Sequence, residues 1–175
     1  FYELCKKHGI SCPDTFIVRK TEDYEKVLEK FPGKTQQNHI GSLQIQYLYA
    51  RTLLMDEVNI QDVSSVAFEY YLGQAKKYWL KQNYYMQAMI AVILNRNGYR
   101  NEAEGILRSL QERSILDDEM GMYWRQENGW YWHQAPVETQ AIIIEAFQEI
   151  LKKPALVDQM KIWLLKQKQT THWKT

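Results

Sequence analysis

Residues 84–95 read YYMQAMIAVILN, without one charged side chain and apolar on every side of a helical wheel. A helix of that kind must be covered by neighbours on more than one face, so this stretch predicts a buried helix. Two other stretches share its character. Residues 42–54, SLQIQYLYARTLL, carry Arg51 as their only charge. In residues 137–151, VETQAIIIEAFQEIL, the apolar positions Ala141, Ile142, Ile143, Ile144, Ala146, Phe147, Ile150 and Leu151 run right round the wheel.

Between these lie helices of a second kind, with one apolar stripe and charges opposite. Residues 100–114 place Ala103, Ile106, Leu107 and Leu110 at helical spacing. Residues 155–169 do so with Leu156, Met160, Trp163 and Leu164, and residues 62–80 with Val63, Val66, Ala67, Tyr70 and Tyr71. Asp62 and Asn101 are suitable N-caps, Glu104 follows Asn101 by three, and Pro136 and Pro154 suit first helical turns.

The two kinds alternate strictly, joined by the short links Lys81-Gln82-Asn83, Asn97-Gly98-Tyr99 and Lys152-Lys153. Short links make antiparallel neighbours. The expected fold is all-α: antiparallel helical hairpins, each with a buried and an exposed helix, arranged as an α/α toroid, here a partial one. No stretch alternates with period two for long, so no strand is expected. The connection 115–136 is long and rich in aromatics, and must pack on something.

The chain has 175 residues, 45% of them hydrophobic, enough for a single core. We treat residues 1–175 as one helical domain, and expect it to be part of a longer protein, because the sequence opens at Phe1 and Thr175 falls at a helix start. A formal net charge of +1 gives no field that would drive the chain onto nucleic acid or anionic lipid. Lys76, Lys77, Tyr78, Trp79 and Lys81 interleave bases with rings as single-strand binders do, but in this balanced chain they read as a solvated helix face. No apolar run approaches the ~20 residues that span a bilayer. Cys5 and Cys12 have neither redox nor zinc-knuckle spacing, and a small-loop disulfide or two free thiols are both compatible with them.

No nucleophile–base, metal-ligand or phosphate-loop signature is present; His8, His39, His133 and His172 are scattered. The sequence therefore assigns no catalytic, metal or cofactor residue. The strongest enzyme reading pairs Glu138 with an acid from Asp117, Asp118 and Glu119, around an aromatic platform that could stack on sugar. Set against it, the three acids are solvated loop charges, and Glu138 is a first-turn acid favoured by the helix dipole. The residues singled out as a structural or interaction loop are Trp124, Trp130, Tyr131, Trp132, His133 and Glu138.

The stretch GWYWHQAPVETQAIIIEAF, followed by VDQMKIWLLKQKQTTHWKT, resembles the thioester-domain region of bacterial alpha-2-macroglobulin-like proteins. Pro136, Val137, Glu138, Thr139, Trp163, Leu164, Leu165, Gln167, Trp173 and Thr175 carry that resemblance. It covers residues 38–175 and only faintly residues 1–37. It implies an α/α toroid in an exported inhibitor that entraps endopeptidases, located in the periplasm, at the cell surface or outside the cell. The implied partners are target proteases and the other domains of the same long chain. The family's Cys-Gly-Glu-Gln thioester matches neither Cys5-Lys6-Lys7-His8 nor Cys12-Pro13-Asp14-Thr15, so a non-enzymatic domain is expected. The alternatives are a toroid enzyme acting on carbohydrate through Glu138, and a helical repeat that binds peptides.

Overall fold

The structure, a computed structural model, describes residues 37–54, 62–125 and 135–168. Six helices make up nearly all of it: α1 (Ser42–Leu53), α2 (Asp62–Tyr78, with a 3-10 turn Trp79–Lys81), α3 (Tyr84–Arg96), α4 (Arg100–Glu112), α5 (Pro136–Ala146, running on as a π-helical segment Phe147–Leu151) and α6 (Pro154–Lys166). The chain is all-α in class.

Helix α3 is the hub. It opens on Asn83, whose Oδ1 accepts the Met86 N–H at 2.9 Å, and every residue from Met86 to Leu94 is buried. It ends in a Schellman turn: Tyr99 N–H reaches the Leu94 carbonyl at 2.9 Å and Gly98 N–H the Asn95 carbonyl at 3.1 Å, with Gly98 at φ 84°. That turn reverses the chain into α4, which packs along α3 through Ala103, Ile106, Leu107 and Leu110, all buried as their spacing predicts. On its other flanks α3 meets α1 and α5, so the three charge-poor helices lie next to one another. Gln87, buried among them, is satisfied twice: its Nε2 donates to the Gln82 carbonyl and its Oε1 accepts from Arg113, both at 2.6 Å.

Several expectations are corrected. Residues Ile115–Asp117 and Gly121–Tyr123 form a two-stranded antiparallel hairpin where no strand was expected. It is wedged between helices: Gln140 of α5, itself buried, donates to the carbonyls of Met122 at 2.8 Å and of Met160 at 3.1 Å. Asn101 does not cap α4; the helix begins at Arg100 with Tyr99 before it. The buried stripe of α2 is Phe68, Leu72 and Ala75, with Ala67 exposed and Tyr70 and Tyr71 half-buried; the Val63 side chain lies outside the described residues. The Tyr70 hydroxyl has a polar partner in His39 Nδ1, whereas Phe68 has no polar group to satisfy. In α6 the stripe is Val157, Met160 and Trp163, with Leu156 and Leu164 only half-buried. Helix α1 is not covered all round: Ile45 and Leu48 are buried, but Leu43 is 72% and Tyr47 45% exposed.

Gly121 shows how closely the hairpin sits on α6. Its φ is 74°, and a Cβ built there would lie 2.2 Å from the Gln159 carbonyl oxygen. Gly121→Ala therefore combines a disfavoured backbone with a backbone clash, and urea unfolding should show a loss of about 2 kcal/mol or more. Unchanged stability would mean that the hairpin does not dock there.

Candidate functional site

Of the residues singled out from sequence, Trp130, Tyr131, Trp132 and His133 lie outside the described residues. Trp124 is buried: its indole N–H donates to the Leu110 carbonyl at 2.8 Å and its ring meets Phe147 at a centroid distance of 6.2 Å. Glu138 stands in the first turn of α5 behind Pro136, where the helix dipole favours an acid. Its Oε2 is buried without a hydrogen-bond partner among the described residues. Tyr85 of α3 faces the same region, and its hydroxyl is pushed above the ordinary tyrosine range by burial first, then by the charges of Glu145 and Glu138.

The acids proposed as partners for Glu138 are engaged in the hairpin turn. Asp117 Oδ1 accepts the N–H groups of Glu119 at 2.9 Å and Met120 at 2.7 Å, an Asx turn that sets the loop. Asp118 and Glu119 are exposed, and the Glu119 carbonyl accepts from Lys166 of α6. Of the three carboxylates, Asp117 has a structural task in this turn.

Among the described residues the densest polar constellation lies elsewhere, where α1, α3 and α5 end together. Arg96, the last residue of α3, points its guanidinium between Glu145 and Glu149, at 3.2 Å and 2.7 Å. It also donates to Thr52 Oγ1 at 3.3 Å, and Asn95 donates to Glu149 Oε1 at 3.0 Å. Tyr49 of α1 completes the set by donating to Glu145 Oε1 at 2.5 Å, with its ring 5.4 Å from the guanidinium. The π-helical segment helps to aim Glu149, and Arg100 closes its end by donating to the Ile150 carbonyl at 2.8 Å. Arg96, Glu145 and Glu149 line an open depression of about 620 Å³, together with Gln148 and Lys152.

No family model, curated protein or solved structure matches this chain. Burial pulls Arg96 down, but the bond and charge of Glu149, with the charges of Tyr49 and Glu145, outweigh it and hold the guanidinium above its ordinary value. Tyr49 is pushed up to about 12, by burial first and then by its hydrogen bond to Glu145 and that carboxylate's charge. A phenol so placed stays a donor at neutral pH and is a poor base. Among the described residues no three His, Cys, Asp or Glu side chains converge as metal ligands, and no helix is long and apolar enough to cross a membrane. The arrangement ties three helices together and leaves a charged rim open to solvent.

Tyr49 gives a signed pH prediction. Its folded pKa lies above the ordinary value of 10, so its contribution is complete below pH 10 and is lost as pH rises from 10 toward about 12. Urea midpoints should fall across that window, and Tyr49→Phe should flatten part of the fall. An identical slope in the variant would remove Tyr49 as its source.

Sequence reading passed over this cluster because its members sit far apart in the chain. One signal was present. Arg96, Glu145 and Glu149 are charges on otherwise apolar helices, and such helices can adjoin only if their charges are paired.

Proposed function

We propose that this chain is a non-catalytic helical scaffold of an exported macroglobulin-like protein that inhibits endopeptidases by entrapment. It would work in the periplasm, at the cell surface or outside the cell, and would pack against other domains of the same polypeptide. The motif resemblance around Pro136–Thr139 and Trp163–Gln167 supports the family. The order of helices supports the architecture: α1, α3 and α5 adjoin as one row, while the more charged α2, α4 and α6 flank it.

The observation that carries the reading is the double face of α1. Ile45 and Leu48 pack into the core, whereas Leu43, Tyr47 and Leu54, on the opposite side, are 72%, 45% and 42% exposed. Helix α3, in the same row, has both such faces covered by α1 and α5. A row of this kind favours another helix beyond α1, as a toroid would supply.

The test uses the full-length protein that carries this chain, mixed with serine endopeptidases of trypsin-like and elastase-like specificity. Entrapment hinders large substrates while leaving the protease's active site intact. Cleavage of casein should therefore fall while cleavage of a tripeptide anilide persists. Casein cleavage at the uninhibited rate with every protease overturns the proposal.

A further inference from the structure

The Arg96 depression has a neighbour. A second one, of about 290 Å³, lies over the α5–α6 turn, and both are lined by Gln148 and Lys152. They share those two residues at the end of α5, so a ligand spanning both would follow one trough. The charges at its two ends are opposite. With the shared Lys152 set aside as the middle of the trough, Glu145 and Glu149 outnumber Arg96 at the first end by one negative charge, and Glu145 is 40% exposed. At the second end Lys153 and Lys161 outnumber Asp158, to which Lys161 is paired at 3.4 Å. Ala141, Ile144 and Val157 supply apolar wall between them.

We infer that this trough is a docking groove for an extended peptide segment carrying a basic residue and, about three positions away, an acidic one. Charge complementarity selects the partner. Nucleic acid presents one sign of charge along its whole backbone and would meet Glu145 and Glu149 unfavourably. A sugar chain would want aromatic rings to stack on, and the described lining has none. A peptide offers both signs, and its backbone amides match the Gln148 side chain, which can donate and accept at once. The spacing follows from helix geometry: Glu145 and Lys152 are seven residues apart on α5 and its π extension, about 10 Å, which an extended strand covers in about three residues.

Lys152 permits a test that spares the fold. It is the one non-glycine among the described residues with a left-handed backbone, at φ 52° and ψ 40°. Glycine suits that conformation better, so Lys152→Gly removes a cation from the middle of the trough without straining the turn. The probes are fluorescein-labelled alanine-based hexapeptides with arginine and aspartate three positions apart, together with di-arginine, di-aspartate and uncharged versions. The intact protein should bind the mixed peptide most tightly by fluorescence anisotropy. Lys152→Gly and Glu145→Gln should each weaken it by about threefold to fivefold, the effect expected of a partly exposed charge. The melting temperature of Lys152→Gly should hold or rise; should it fall, the exposed Lys153→Gln takes its place with the same expected weakening. Equal binding of all four peptides, tighter binding of a like-charged one, affinity for the mixed peptide weaker than about 1 mM, or indifference to the substitutions overturns the inference. This outcome is independent of the protease assay.

Discussion

Trp124→Ala should lower stability by about 3–5 kcal/mol, which for a chain of this size is roughly 6–20 °C in melting temperature. The ring is 2% exposed and lies against Phe147, which is itself fully buried in the π-helical segment of α5. It also joins the end of the hairpin to α4, through the indole bond to the Leu110 carbonyl at 2.8 Å. Truncation would leave a cavity among three elements that can close up only if the hairpin leaves α6. Trp124→Phe separates the two contributions. The Leu110 carbonyl keeps the Arg113 N–H at 3.2 Å, so losing the indole donor should cost only about 1 kcal/mol, beyond the smaller ring's packing deficit. Thermal unfolding of both variants decides the matter: a loss below about 1 kcal/mol for Trp124→Ala would deny the wedge any part in holding the outer helices.

The helices were legible because their burial follows from local patterns. The uncharged stretch at 84–95 could only be a covered helix, the stripe Ala103–Leu110 could face only one way, and Pro136 and Pro154 stand in first turns where expected. Where neighbours choose between two equivalent stripes, sequence could not choose. On α2, Phe68, Leu72 and Ala75 have helical spacing as good as that of Val66, Ala67, Tyr70 and Tyr71, and the positions of α1 and α3 decide between them. Gln74 beside that stripe is buried because its Oε1 accepts the His39 N–H at 2.9 Å, a partnership no spacing could announce. The hairpin was invisible for a similar reason. Strands of three residues are too short to show period two, and this pair is held by Gln140 and by the Gly121 approach to α6. Glu138 was legible as a first-turn acid; the Arg96 cluster, drawn from residues 49 to 149, was not.

Arg96→Met should be the costliest change at the polar cluster, and its cost should depend on the partners left behind. The Arg96 side chain is 22% and that of Glu149 29% exposed, so removing the cation leaves a carboxylate that water only partly reaches. Breaking a buried pair from one side costs about 3–5 kcal/mol; with Glu145 40% exposed and screened by solvent, the lower end, about 3 kcal/mol, applies here. Tyr49, Thr52 and Asn95 would keep only their mutual bonds and their bonds to the carboxylates. Replacing the carboxylate as well should restore part of the loss, because an amide in a half-dry site costs less than an unpaired charge. The cycle through Arg96→Met, Glu149→Gln and the double variant should therefore give a coupling of about 1.5–3 kcal/mol, read from urea unfolding. Repeating it at high salt tells shielding from solvation: a pair only 22% and 29% exposed should keep more of its coupling than an exposed pair such as Asp158–Lys161 would. Additive single effects would mean that Arg96 and Glu149 act separately, and that α1, α3 and α5 are held at this end by apolar packing alone.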